Sequence, residues 1–338
     1  MKVIYSRAPV RVCDIGGWTD TWFYKPGAVF NICVDLYSYV RVVENETNSI
    51  NITSENLDLN QKIKNYRQIE YNGTLDLLKA AVKRMNIQTG LDIYARSDAP
   101  PGCGTGTSAS IAVSLIGALA KFTDNNMSIY QIAELAHKLE TEELGLESGV
   151  QDQFAAAFGG INFMEIDYPV VKNSNIKISE ERTFELESQM ILVYFASRSS
   201  SEMHGQVIQK FKSGEKQTKN ALDTLKDCAY QMVKAINSDD MHDMGDIMNQ
   251  NWEAQKKLHP MMTNLIIQRI EKISKQKGSI GFKCNGAGGG GSAIILARKG
   301  NEYKLKKALI AENLILLPCK INFKGLEVYE KRARDKKS

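Results

Sequence analysis

The stretch PPGCGTGTSAS, residues 100–110, sets Gly102, Gly104 and Gly106 among Thr105, Thr107 and Ser108, directly before an apolar run. Upstream, LDIYARSD (91–98) alternates as a strand does; downstream, the spacing predicts a helix over 107–122. Glycines let a backbone approach a ligand closely, consecutive N–H groups then converge, and a helix N-terminus adds partial positive charge. A capped helix after a tight turn is the plainer alternative, but capping uses one hydroxyl residue and at most one glycine. The reading is a phosphate cradle formed by Pro101, Gly102, Cys103, Gly104, Thr105, Gly106, Thr107 and Ser108. It is not a Walker loop, because no lysine occurs between 102 and 120.

A second stretch, KCNGAGGGGSAIIL (283–296), puts five glycines into six positions. Gly286, Gly288 and Gly291 spell G-x-G-x-x-G, yet SAIILA continues as a strand and not as the helix a dinucleotide fingerprint requires. A bulged hairpin seldom needs so many glycines. A loop packed on a ligand, or on the other glycine loop, fits better.

Around these stretches the pattern predicts strands over 3–12, 28–43, 91–98, 161–166, 189–197, 279–284, 292–297 and 321–330, with short candidates at 50–54 and 69–71. Helices are expected over 74–86, 107–122, 128–144 and 302–312, with a short one in QDQFAAAFGG and two or three within 202–275; 169–188 reads as polar and peripheral. A strand-rich first half and a second half that starts helical and ends in strands predict an α+β protein of two packed lobes, divided as 1–185 and 186–338.

The chain has 338 residues, 43% hydrophobic and 24% charged, with a net charge of +4. That is the make-up of a globular protein of one large domain or two ordinary ones. The terminal basic run KRARDKKS is too short to signal nucleic acid, and no nucleic-acid partner is expected. The six cysteines stand singly, which fits free thiols. The N-terminus lacks the apolar core of a signal peptide and the longest apolar run is about half a membrane span, so no membrane is expected and the cytoplasm is the expected compartment.

Arg11, Asp14 and Asp20 cluster around Gly16 and Gly17. Asp152 lies between two amides beside small residues, as a base for a hydroxyl would or as a plain helix N-cap would. Glu140, Glu142 and Glu143 precede it; one of them facing the phosphate loop would hold Mg²⁺ together with a serine hydroxyl. His137, His204, His242 and His259 show no metal spacing and read as structural or surface residues.

RAPVRVCDIGGWTD, PPGCGTGTSAS and KCNGAGGGGSAIIL, in that order, resemble the three motifs of the GHMP kinases, the superfamily of galactokinase, homoserine kinase, mevalonate kinase and phosphomevalonate kinase. The resemblance implies a ribosomal-protein-S5-like N-terminal lobe, a ferredoxin-like C-terminal lobe, and ATP and Mg²⁺ as cofactors. It implies Asp152 and Arg11 as catalytic residues and Ser108 and Glu140 as metal ligands. It places Gly17, Trp18, Thr19, Asp20, Gly288 and Gly289 at the acceptor. Thr105 replaces the usual leucine of the second motif; Trp18 and Gly17 replace a histidine and a glutamate of galactokinase, which argues against galactose. GGWTDT is similar to fucokinase-type domains, while GVQDQFAAAFGGINFMEI and SRSSSEMHG are similar to kinases of D-glycero-D-manno-heptose 7-phosphate. Arg198, with the serines at 199–201, would then bind a substrate phosphate or lie in a polar loop. The expected partner is a small sugar or sugar phosphate; a homodimer is compatible with the chain. The alternatives are a kinase for an unphosphorylated sugar and a catalytically silent sugar- or ATP-binding sensor.

Overall fold

The computed structural model describes residues 1–196, 201–238 and 240–331. The chain begins with β1 (Val3–Ile15), β2 (Gly27–Glu44), β3 (Ile50–Ser54), β4 (Leu59–Ile63), α1 (Asp76–Arg84), β5 (Leu91–Ser97), α2 (Thr107–Phe122), α3 (Ile129–Lys138), α4 (Gln151–Phe158), β6 (Ile161–Asp167) and β7 (Val170–Ile176). It continues with α5 (Glu180–Gln189), β8 (Met190–Ala196), α6 (Ser201–Lys212), α7 (Lys216–Ala235), α8 (Met241–Lys256), α9 (Leu265–Gln276), β9 (Ser279–Cys284), β10 (Gly291–Ala297), α10 (Glu302–Ala311), β11 (Ile315–Leu317) and β12 (Glu327–Glu330).

Two sheets result, as the α+β, two-lobed expectation requires. The first has the order β12-β1-β2-β5-β3-β4, with β6 beside the first half of β2 and β7 beside β6. The 18-residue β2 is shared in this way because its pairing with β1 shifts between Pro9 and Val10. Its second half then faces β5 and its first half faces β6. The second sheet is antiparallel, in the order β11-β8-β10-β9.

Several elements differ from the sequence expectation. An uninterrupted second lobe over 186–338 is corrected at its end, because β12 pairs with β1 in the first sheet. Residues 69–71 are no strand; β4 and a 3₁₀ turn at Tyr66–Gln68 precede them. The segment 169–188 holds β7 and α5, whose polar faces are solvated. Among the described residues four α-helices, not two or three, fill 201–276. The helix expected over 128–144 stops at Lys138 and widens into a π turn, Leu139–Glu143. Of 321–330 only the last four residues form a strand, and Ile321 makes an isolated bridge to Val34. Arg198 lies outside the described residues.

Helices α1 to α4 bury their apolar sides against one face of the first sheet, around Ile4, Ala8, Val113, Ile116 and Phe154. A separate core joins the lobes: Val12, Ile15, Phe30 and Ile32 of the first sheet meet Ala229 and Met232 of α7, Met244 and Met248 of α8, and Ile294 and Leu296 of β10. This shared core fixes the distance between the lobes and so the shape of the cleft. On the far side of the second sheet Trp252, 1% exposed, packs 6.1 Å from the Phe282 ring and donates its Nε1–H to Glu271 at 3.1 Å. Trp252→Ala is expected to destabilise the protein by about 3–5 kcal/mol in urea unfolding; a loss below about 1 kcal/mol would contradict this packing.

Candidate active site

The turn after β1 is gripped from the second lobe. The Cys13 N–H donates to Asn285 Oδ1 at 3.1 Å and the Gly16 N–H to Asn251 Oδ1 at 2.9 Å. Buried Asp14 accepts from Lys283 Nζ at 3.0 Å and from the Gly286 N–H at 3.1 Å. Asp20, 3% exposed, accepts the Gln151 N–H at 3.2 Å, which ties the turn to the start of α4.

In the loop 101–108, expected above to cradle phosphate, Gly102, Gly104 and Gly106 all have positive φ. Gly106 is the N-cap of α2 and no side chain caps the helix, so Thr107 and Ser108 do not act as caps. A Cβ on Gly106 would lie 3.0 Å from the Asp152 carboxyl carbon, so only glycine brings loop and carboxylate together without displacement. The third motif closes the loop from behind. Ser292 Oγ donates to the Cys103 carbonyl at 2.8 Å, and a Cβ on Gly291 would stand 2.5 Å from that oxygen. At Gly291 it is this packing of one glycine loop on the other that requires glycine.

Arg11 joins these parts. Its guanidinium is 4% exposed, donates through Nε to Asp152 Oδ1 at 2.8 Å and through Nη1 to the Gly104 carbonyl at 2.5 Å, and stands 3.9 Å from Asp14. Burial opposes its charge, but Asp152, Asp14 and Asp20 outweigh burial and hold it protonated. Asp152 lies in the first turn of α4, after the N-cap Val150, so the capping alternative falls away. Glu140 points inward from the π turn and accepts from Ser148 at 2.5 Å, from Gln153 at 2.9 Å and from Ser108. Burial above all, and Asp152, push its carboxyl up to about 7 against those hydrogen bonds. Glu142 instead pairs with Arg84 at 3.0 Å, and Glu143 with Tyr71 at 2.6 Å.

The cleft between the lobes is lined by Arg11, Trp18, Asp20, Asp152, His204 and Gly286, among others. Trp18 is 6% exposed with φ 78°, its ring centroid 4.7 Å from that of His204, and its Nε1–H is buried without a partner among the described residues. Other expected residues take other places. Thr19 is fully buried and its hydroxyl bonds the Gly16 and Ala28 carbonyls, so it shapes the turn and does not face the cleft. Gly288 and Gly289 pack on the backbone of Met261 and Met262; Gly286 and Ala287 line the cleft in their stead. The buried Cys103 and Thr105 contribute backbone: the Thr105 carbonyl accepts the Arg11 N–H at 3.0 Å. Sequence reasoning set His204 aside and overlooked Lys283, whose carboxylate partner, Asp14, lies 269 residues earlier. A wider groove of about 570 Å³ lies on the outer face of the first sheet, where Arg41 stacks on Tyr94 and Arg96 on Tyr39.

Asp20 offers a test. Burial first, then Asp152, push its carboxyl up to about 6, against the Gln151 N–H and Arg11. The folded state thus holds this proton more tightly than the unfolded chain. The contribution to stability is complete below about pH 4 and is lost as pH rises through about 6. Asp20→Asn, uncharged throughout, is expected to gain on the wild type between pH 4 and 7 by at most about 3 kcal/mol. Parallel unfolding curves at both pH values would contradict this.

The profile of the GHMP kinases N terminal domain matches residues 72–160, and that of the GHMP kinases C terminal domain matches 232–315. The chain is 29% identical to D-glycero-alpha-D-manno-heptose 7-phosphate kinase of Campylobacter jejuni, over 92% of this chain and 94% of that protein. It is 27% identical to the bifunctional fucokinase/GDP-fucose pyrophosphorylase of Arabidopsis thaliana, over 90% of this chain and 31% of that protein. A solved D-glycero-D-manno-heptose 1-phosphate kinase from Bacteroides thetaiotaomicron superposes with a TM-score of 0.82 over 98% of this chain and all of that one; at 24% identity it speaks for the fold alone. With two glycine loops interlocked beside a buried arginine–aspartate pair, and both halves of the family matched in order, the chain belongs to the GHMP kinases and is a phosphotransferase with an alcohol group as acceptor.

Proposed function

We propose that this protein is an ATP- and Mg²⁺-dependent sugar kinase acting on an anomeric hydroxyl, with D-glycero-D-manno-heptose 7-phosphate as the foremost acceptor. The observation that carries the reading is Arg11, held by Asp152 on one side and by the Gly104 carbonyl of the phosphate loop on the other. The likeness to a heptose 7-phosphate kinase supports the choice of sugar.

Phosphoryl transfer is mostly positioning and charge stabilisation. The loop backbone at 102–108 and the uncapped N-terminus of α2 would receive the donor's phosphates. Asp152 would accept the proton of the acceptor hydroxyl as the new P–O bond forms and the bond to the leaving diphosphate breaks. Arg11 would offset the negative charge on the transferring group. Asp20 and the Trp18 Nε1–H would hold acceptor oxygens. Among the described residues no cluster of three or more His, Cys, Asp or Glu could bind a metal. Mg²⁺ needs no such cluster, since one carboxylate plus phosphates and water suffice. Glu140 and the Ser108 hydroxyl fit that oxygen set, and the ion would supply charge neutralisation at the phosphates.

A second reading, an unphosphorylated sugar, is favoured by the cleft itself. Asp14, Asp20, Glu147 and Asp152 line it against Arg11, an unwelcoming surround for a second phosphate. An ADP-release assay with Mg·ATP and a panel of heptose 7-phosphate, fucose, mannose, arabinose, galactose and mevalonate, with product NMR, separates the two. Phosphate at C1 of the heptose phosphate supports the proposal; turnover only on a neutral sugar supports the second reading; turnover only on mevalonate defeats both. Asp152→Asn and Arg11→Ala are each expected to lower kcat per folded molecule by at least about 10²–10³; near-normal turnover in Asp152→Asn would sink the assignment. Trp18→Phe keeps the ring and removes the N–H. It is expected to raise the acceptor KM about tenfold at nearly constant kcat; an unchanged KM would remove Trp18 from the acceptor site.

A further inference from the structure

Arg11 has two carboxylates within reach, and only one of them stands at the phosphate loop. Asp152 is 2.8 Å from Nε, whereas Asp14 is 3.9 Å from Nη1. Asp14 is 1% exposed, in surroundings where Coulomb attraction is far stronger than in water. Left unpaired, it would compete with Asp152 for the guanidinium. Lys283 prevents this. Its ammonium group is 1% exposed, reaches across from β9, and donates to Asp14 Oδ1 at 3.0 Å and to the Cys284 carbonyl at 2.8 Å. The Gly286 N–H adds a further donor to both Asp14 oxygens at 3.1 Å.

We infer that Lys283 is a positioning residue: by neutralising Asp14 it keeps the Arg11 guanidinium on Asp152 and the phosphate loop. Lys283 then touches neither donor nor acceptor and acts on transfer through two intervening side chains. The inference rests on the kinase reading above for its kinetic readout but not for its structural one.

The test compares Lys283→Met, Asp14→Asn/Lys283→Met and the wild type, using the sugar that gives turnover and a crystal structure of each variant. Lys283→Met is expected to lower kcat per folded molecule about 10²-fold, with both KM values within about threefold. Its structure is expected to show Arg11 turned from Asp152 to Asp14. The double variant removes the competing carboxylate together with its partner; kcat is expected to return to within about tenfold of the wild type, with Arg11 back on Asp152. A merely structural role would lower the melting temperature of Lys283→Met and leave kcat per folded molecule and the Arg11 geometry alone; either finding overturns the inference. A double variant as slow as Lys283→Met overturns it as well. If the wild type turns over no sugar, the kinase reading fails, while the position of Arg11 in the Lys283→Met structure still decides the inference.

Discussion

A guanidinium withdrawn from water must be compensated where it lies, because an isolated buried charge is among the costliest groups a fold can contain. Arg11 is such a group; two of its partners come from distant parts of the chain, Asp152 from α4 and the Gly104 carbonyl from the first glycine loop, and the third, Asp14, stands three residues on in its own strand. Each partner is useful only if its own segment is held in place. The turn around Asp14 is held by Asn251, Asn285 and Lys283 of the second lobe, and α4 is held by Asp20. The lobes therefore cannot be placed independently, and the core of Phe30, Met232, Met248 and Ile294 fills the space between them.

Backbone crowding is the second constraint. Side chains at Gly106 and Gly291 would collide with Asp152 and with the Cys103 carbonyl. Two loops stacked on each other, with a carboxylate against one of them, leave no volume for a Cβ. Gly291 of the third motif thus packs on Gly102 and Cys103 of the second, although 189 residues separate Gly102 from Gly291.

What the sequence disclosed was what is local. The apolar run of α2 begins where the glycines end, and the start of the helix at Thr107 follows from that change. The loop 100–110 and Asp152 stand out as candidates because glycine density and an acid beside small residues are visible over a dozen positions, whereas Arg11 enters through the motif that resembles the family's first. What stayed hidden depends on remote partners. β7 and α5 were read as peripheral because each turns a polar face to water and its buried positions are few. Glu140 could not be told from Glu142 until the π turn rotated one inward and left the other on Arg84. Lys283 looks like any strand lysine until Asp14, 269 residues earlier, is brought 3.0 Å from it. Thr19 misleads in the opposite sense: it lies within a motif expected at the acceptor, yet its hydroxyl serves the backbone.

The pairing of β1 with β12 sets the order in which the molecule can be completed on the ribosome. Residues 4–7 find their outer partners only at 327–330. At ordinary elongation rates of about 5–20 residues per second, the gap between emergence of the two strands is roughly 15–60 s. Throughout that interval β1 presents an unpaired edge to a crowded solution, the kind of edge on which foreign strands assemble. Helix α2 likewise waits for Leu326 and Val328 to cover Gly117. The sheet that starts at β1 is thus complete only after β12 has emerged, and a nascent chain stalled before β12 would carry Arg11 and Asp152 beside an open sheet edge.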